Sequence, residues 1–180
     1  MEKAIKSGLA GWKKAPAYAR VGNPYRDIPA KQFDIDTPDK ANAFYVSRMP
    51  LKLQDTDADY ASLYLANYLF GASETSRLWN RVRETEGLSY NVRSSLSVSS
   101  FEPSASWTMY AIYAPQNRER LEKAINEELA RVLKDGFSEK EISDGINALL
   151  NYRNLARAQD DVLAGTCLLY TSDAADDLLC

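Results

Sequence analysis

The 180-residue sequence contains no histidine, and its two cysteines, Cys167 and Cys180, both lie in the last fourteen residues. Without histidine, the chain cannot form a Ser-His-Asp catalytic triad or a histidine-ligated metal site from its own residues. No apolar stretch approaches the ~18 residues of a membrane span. The N-terminus also lacks the apolar stretch of a secretory signal, which is weak evidence if the chain begins inside a longer protein.

The C-terminal residues 167–180 differ from the rest of the chain. The run from Cys167 to Asp177 resembles the translation of a transposon-type sequencing adapter, so we interpret residues 167–180 as a non-native tail. The tail holds three of the 25 acidic residues and none of the 22 basic ones. Without it the charges balance and no cysteine is left, so the composition indicates neither nucleic-acid binding nor a redox compartment.

Hydrophobic residues make up 45% of the chain, which is enough to form a globular core, and charged residues make up 26%. At its N-terminus, residues 2–13 are predicted to form a helix. Residues 14–32 contain Pro16, Pro24 and Pro29, a density that excludes a helix interior and favours an extended connector.

Two strands are predicted after this connector. Phe33–Asp36 and Ala41–Met49 have the composition of strands and flank the predicted turn Thr37–Lys40. Because proline cannot donate a hydrogen bond to a neighbouring strand, Pro50 is expected to end the second strand.

The segment 55–71 predicts a capped helix. Asp55, Asp57 and Asp59 alternate as calcium ligands can, but they lack the glycine and the distal glutamate of an EF-hand loop. We therefore interpret Thr56–Asp59 as the cap of a helix that runs to Phe70 and stops at Gly71.

The next segment predicts a short helix followed by a hairpin of two strands. Residues 76–86 have the character of a short helix, and Gly87 stops it. The positions 88, 90, 92, 96 and 98 are apolar and alternate with polar residues, which is typical of a half-buried strand. Ala105–Tyr113 is apolar on both faces, so we expect this strand inside the sheet.

Two further helices complete the predicted domain. The first begins at 115–117 and stops at Gly136, and the second begins with the capping box Ser138–Glu141 and runs to about Arg157. The order of elements predicts an α+β fold, in which helices pack on one face of a mostly antiparallel sheet.

Arg83 and Tyr90 are the first candidates for a functional site. They lie seven residues apart across the predicted helix–strand corner. A guanidinium and a phenol both donate hydrogen bonds, and together they could stabilise negative charge on a carbonyl oxygen. The residues alone favour a plainer interpretation, with a solvated arginine at a helix end and a tyrosine that packs below Leu88.

Clustered arginines are the second candidate, because they can bind phosphate or carboxylate. Here Glu84 and Glu86 lie beside them, which favours a self-neutralised polar surface over an anion site, and the strands carry no RNA-binding aromatic signature. The arginines concerned are Arg77, Arg81, Arg83 and Arg93.

Taken together, these segments resemble the C-terminal-type domain of the pitrilysin/insulinase metallopeptidases, the inverzincins. The cluster Arg83-Glu84 with Glu86-Gly87-Leu88-Ser89-Tyr90 is its most specific part. The similarity covers about residues 5–160, and the other matching segments are Asn23–Tyr25, Thr37–Ala41, Asp59–Tyr60, Tyr68–Gly71, Ser76–Leu78 and Asp135–Phe137 with Glu141.

The resemblance implies a substrate-binding domain with a LuxS-type α+β layer, in a zinc-dependent endopeptidase of bacterial cytoplasm or periplasm. It implies that Arg83 and Tyr90 contact the peptide substrate and its transition state. Zinc would lie on a histidine–x–x–glutamate–histidine helix of the parent enzyme, in the same chain or a partner subunit. This chain would bind no cofactor, nucleic acid or membrane, and would be inactive alone.

The expected organisation is that of a fragment truncated at both ends. Residues 1–13 would be the end of a first helix, residues 14–32 a connector, and residues 33–160 the main domain. Two other functions stay open. One is a non-catalytic structural or assembly subunit, as in processing-peptidase partners and respiratory-complex core proteins, and the other is a free-standing ferredoxin-like binding module.

Overall fold

The helices and strands of the chain follow the predicted order, except that one predicted strand does not form. The computed structural model describes residues 2–11 and 19–165, so the predictions made for residues 12–18 and 167–180 lie outside the described residues. The elements are α1 (Glu2–Leu9), β1 (Ala43–Leu51), α2 (Tyr60–Asn67) with a π-helical turn (Tyr68–Ala72), α3 (Arg77–Trp79) with a π-helical extension (Asn80–Thr85), β2 (Ser89–Val98), β3 (Ala105–Tyr113), a 3₁₀ turn (Pro115–Asn117), α4 (Arg118–Asp135) and α5 (Glu139–Ala156).

The three strands form an antiparallel sheet in the order β1-β3-β2, which confirms the predicted α+β class. The apolar strand β3 is central, as its composition predicts. Pro50 does not end β1, because it pairs with Ser106 inside the strand. An edge strand tolerates proline, since the side that lacks an N–H group can face away from the neighbouring strand.

The predicted strand Phe33–Asp36 is absent, and this prediction was wrong. The segment has no strand pairing, and the side chains of Phe33 and Ile35 are 70% and 83% exposed. Alternation of apolar residues stabilises a strand only where one face can be buried, and these side chains have no layer to pack against. The turn that follows forms as predicted, with the Lys40 amide donating to the Thr37 carbonyl at 3.0 Å.

Helix α2 differs from its prediction at both ends. The Asp59 side chain makes no capping hydrogen bond, and the carboxylate of Asp57 instead accepts from the Gln54 amide at 2.8 Å. Gly71 does not stop the helix, because the π-helical turn continues through it to Ala72. A Cβ atom at Gly71 would lie 2.6 Å from the Oγ of Ser94, so glycine is needed here for close contact with β2.

The core lies between the sheet and the helices. Leu78 and Val82 from the α3 segment pack with Leu121 and Ile125 from α4 against the inner face of β2 and β3, and all four side chains are fully buried. The outer face of the sheet is not covered by the described helices. In residues 2–11 and 19–165, we find no helix with the length and apolar character that crossing a membrane requires.

Helix α5 is joined to α3 through its capping box. The Ser138 and Glu141 side chains form the predicted reciprocal cap. The Arg77 guanidinium also donates to both carboxylate oxygens of Glu141, at 2.7 and 2.8 Å. The pKa of the Glu141 carboxyl is lowered to about 2, mainly by the hydrogen bonds from Arg77. Partial burial acts in the opposite direction, and the hydrogen bonds from Ser138 lower the pKa further.

We predict that Gly71→Ala destabilises the chain by about 1–3 kcal/mol, because the added methyl group overlaps both the side chain and the backbone of Ser94. Gly8→Ala is the matched control, since an added Cβ there meets nothing within 4 Å apart from its chain neighbours and the backbone of α1 itself. Urea denaturation of the 180-residue chain measures both free energies of unfolding. Equal stability of the two variants would contradict the tight contact.

We also predict a pH-dependent role for Glu141. Its folded-state pKa of about 2 lies below the ~4.3 of an unfolded glutamate, so its ionised form stabilises the fold above that pH. The stabilisation should disappear as the pH falls from ~4.3 towards 2. Glu141→Gln should therefore lower the free energy of unfolding by about 1 kcal/mol at pH 7 and by much less near pH 2. The effect at pH 7 is modest because the Glu141 side chain is partly exposed and water weakens its ion pair.

Glu139→Gln is the control for this experiment, because Glu139 is an exposed acid in the first turn of the same helix. Denaturation curves of the three proteins across this pH range give the comparison. A deficit of Glu141→Gln that does not change with pH would show that the carboxylate charge is unimportant.

Candidate functional site

The corner between the α3 segment and β2 is closed by two backbone hydrogen bonds. The amide of Leu88 donates to the Val82 carbonyl at 2.9 Å, and the amide of Glu86 donates to the Arg81 carbonyl at 3.1 Å. Gly87 adopts a φ of 60°, a left-handed conformation that favours glycine. The predicted glycine stop is therefore confirmed, and the chain passes from helix to strand within a few residues.

A β-bulge follows immediately at Tyr90. Ser89 pairs with Tyr113 and Asn91 with Ile112, which leaves Tyr90 as the extra residue. The predicted alternation that placed Tyr90 on the same face as Val92 was therefore wrong at this end. Tyr90 is 80% exposed while Val92 is fully buried. Bulges commonly redirect a side chain in this way near functional sites.

Ser89 holds the bulge with its hydroxyl group. The Oγ atom lies 2.7 Å from the Ile112 carbonyl oxygen and 2.9 Å from that of Asn91, and it accepts from the Asn91 amide at 3.2 Å. The backbone groups that the bulge removes from regular pairing thus acquire side-chain partners.

Arg83 and Tyr90 are brought together by the corner and the bulge. The Arg83 Cζ atom lies 4.8 Å from the centre of the Tyr90 ring and 4.3 Å from the centre of the Trp79 ring. Both distances are within the range of cation–π attraction. Trp79 is only 7% exposed, so Arg83 rests on a buried indole while the tyrosine ring extends into solvent.

Trp79 and Arg93 belong to the same cluster, a role that was not predicted from the sequence. The Cζ atom of Arg93 also lies 4.3 Å from the Trp79 ring centre. The spacing of Trp79 and Arg83, four residues apart on a helix, could have indicated their contact. No comparable signal existed for Arg93, because its approach depends on how β2 packs against the α3 segment.

The other three arginines of the predicted cluster are paired with carboxylates, but mostly not with the predicted ones. Arg81 does bind Glu86, and it also donates to Glu127 at 2.9 Å. Arg77 binds Glu141, and Arg93 lies 3.1 Å from Glu74. These partners are distant in sequence, which is why local spacing failed to reveal them.

Arg83 differs from these arginines. Among the described residues its ion pair is with the neighbouring Glu84, at 3.6 Å, which is too long for a hydrogen bond. Glu84 is itself well exposed, so water weakens the pair. The N–H groups of Arg83 therefore stay available to an incoming acceptor, and the Tyr90 hydroxyl lies on the same exposed corner.

The described residues contain no suitable set of metal ligands, because no three Asp, Glu, His or Cys side chains among them form a cluster. Asp55, Asp57 and Asp59 accordingly do not converge on a site. The chain as a whole has no histidine to offer. A zinc ion of the kind that zinc proteases use therefore does not fit the residues present here.

The sequence profile of the family described as Peptidase M16 inactive domain matches residues 1–149. An uncharacterized zinc protease of Bacillus subtilis, YmxG, is 37% identical over 82 residues, which are 46% of this chain and 20% of the relative. The chain thus spans about a fifth of that relative's length.

Solved structures show the same fold. The peptidase M16 inactive domain from Pseudomonas fluorescens has a TM-score of 0.54 at 27% identity, with 61% of this chain and 27% of that chain covered. A protease from Helicobacter pylori has a TM-score of 0.64 at 16% identity, covering 74% of this chain and 32% of that one. The pitrilysin/insulinase resemblance is confirmed, and the chain belongs to the M16 peptidase family as an inactive peptidase domain.

Proposed function

We propose that this domain binds the peptide substrate of a zinc-dependent metalloendopeptidase, and that Arg83 and Tyr90 make the contacts that matter for the reaction. The observation that carries this proposal is the pairing, on one corner, of an exposed tyrosine with an arginine that has no carboxylate hydrogen bond within the described part of the chain. The guanidinium and the phenol hydroxyl donate hydrogen bonds to peptide carbonyl oxygens and stabilise the negative charge that develops on one of them.

The stacking on Trp79 supports this role, because it restricts the guanidinium plane before any substrate arrives. A long arginine side chain loses rotamer entropy when it is ordered by a ligand, and a side chain that is already ordered loses less. The site is therefore preorganised on its arginine side.

The catalytic metal belongs to another part of the assembly in this proposal. The chain has no histidine, its described residues hold no cluster of metal ligands, and the Bacillus relative named a zinc protease is about five times as long as the matched segment. The zinc-bearing half is then supplied by the same polypeptide or by a partner subunit, and the substrate lies between the two halves. A domain of this type has no peptidase activity by itself.

The proposal predicts that Tyr90→Phe lowers kcat and kcat/KM of the complete protease together, by about a hundredfold, because one hydrogen-bond donor to the developing oxyanion is lost. The stacking of the ring on Arg83 is retained in this variant. Steady-state kinetics on an internally quenched peptide measure both parameters.

Tyr152→Phe is the matched control, since Tyr152 is another exposed tyrosine but lies on α5, in the helix layer. It should leave both parameters unchanged. If Tyr90→Phe also leaves kcat/KM unchanged, the catalytic role is wrong, and a structural or assembly function of the domain becomes the better explanation.

A further inference from the structure

The outer face of the sheet is divided into an apolar half and a polar half. Beside Tyr90, the outward residues of β1 and β3 are apolar or aromatic, and Phe44 stacks on Tyr110 with ring centres 6.1 Å apart. Farther along, the outward residues are Arg48, Ser95, Ser97, Ser106 and Thr108. Phe44 and Val46 are 62% and 58% exposed, so this face has no cover among the described residues.

The charge on this face is positive. The three strands contain two arginines, Arg48 and Arg93, and no acidic residue. Arg93 is paired with Glu74, whereas Arg48 has no ion pair among the described residues and donates a hydrogen bond to the Ser106 hydroxyl at 3.2 Å. The Arg48 guanidinium thus retains donors for an anion.

Arg48 lines a cleft of about 180 Å³ at the hairpin end of the sheet. Hydroxyl groups of both hairpin strands and of their connecting loop surround it, and Asn23 from the extended segment before β1 forms another wall. The side chains that contribute are Asn23, Arg48, Ser97, Ser99, Ser104 and Ser106.

Among the described residues, Glu102 is an acid near this cleft, and its charge is already neutralised. Glu102 forms an ion pair with Arg20 at 2.8 Å and accepts from the Asn23 amide at 2.7 Å. It therefore competes little for Arg48. An arginine surrounded by hydroxyl groups is a suitable environment for a carboxylate.

The distance to the candidate site suits a short peptide segment. Asn91, the neighbour of Tyr90 on β2, is level with Phe44 on β1, and β3 lies between them. Arg48 lies four residues farther along β1 than Phe44. At ~4.8 Å per strand and ~3.4 Å per residue, the separation is about 17 Å, or about five extended residues.

Building on the proposed function, we propose that Arg48 and its hydroxyl-lined cleft bind the C-terminal carboxylate of the peptide substrate. The C-terminus of the substrate lies about five residues beyond the substrate residue that Arg83 and Tyr90 contact. The intervening substrate residues pack apolar side chains against Phe44 and Val46. A terminal group is favoured over an internal acid because residues of the hairpin loop and Asn23 line the cleft beyond Arg48, where a longer peptide would have to continue.

The test uses the 180-residue chain and an N-terminally fluorescein-labelled decapeptide rich in Phe and Ala, in free-acid and amide forms. A third form is an amide with one internal Glu. Fluorescence anisotropy gives Kd for the unchanged chain and for Arg48→Gln, Arg83→Gln and Arg157→Gln. Arg157, an exposed cation at the end of α5, is the control for loss of one positive charge.

The unchanged chain and Arg157→Gln should bind the free acid about fivefold more tightly than either amide, and Arg48→Gln should bind all three forms equally. Arg83→Gln should weaken all three forms by the same factor. The preference for the free acid should decrease with added NaCl, because screening weakens an exposed ion pair.

Failure of this inference can be distinguished from failure of the proposed function. If Arg48→Gln keeps the preference, or the unchanged chain has none, Arg48 is not the carboxylate site even when Arg83→Gln weakens binding. If Arg83→Gln binds like the unchanged chain while Arg48→Gln abolishes the preference, the role of Arg83 is wrong and the carboxylate site stands. Equal affinity for the internal Glu peptide and the free acid overturns the assignment to a terminus.

Discussion

The candidate site depends on one hydrogen bond, from the Leu88 amide to the Val82 carbonyl, and on the left-handed Gly87 that permits it. This closure ends the helix and starts the strand with almost no intervening loop. The bulge held by Ser89 then displaces the next residue from regular pairing. In an unbulged strand Tyr90 would point into the core with Val92. Two local backbone features thus bring Arg83 and Tyr90, seven residues apart, into ring contact.

The relative energies indicate that core packing fixes the Trp79 ring and that the arginines take their positions from it. Leu78 and Val82 are fully buried on either side of Trp79 in sequence, and burial of such side chains contributes ~1.5–3 kcal/mol each. A cation–π contact contributes only ~0.5–2 kcal/mol. Packing therefore fixes the indole of Trp79, and the arginines adjust to it. The site has a rigid apolar base and a charged upper layer that can respond to a ligand.

Sequence patterns predicted several features that depend on local chemistry but missed those that depend on tertiary neighbours. The capping box at Ser138 and the central position of β3 followed from residue types within one element. The role of Gly71 could not be predicted, because it arises from contact with Ser94 on a different strand. Tyr90 combines both cases. Its proximity to Arg83 was predictable from the helix–strand corner at Gly87, but its exposure results from a β-bulge that no sequence pattern indicated.

The distribution of charge explains why both proposed contacts involve arginines with weak partners. Acids are abundant on the helices, where Glu127, Glu128 and Glu141 bind the arginines that join α3 to α4 and α5. The strands carry no acid, so Arg48 has no carboxylate partner in its own sheet, and Arg93 pairs with Glu74 outside it. Ion pairs between helices stabilise the fold, whereas the weakly paired Arg83 and Arg48 contribute little to it. Their cationic groups are thus available for binding, and an extended peptide that offers carbonyl oxygens and a carboxylate is complementary to both.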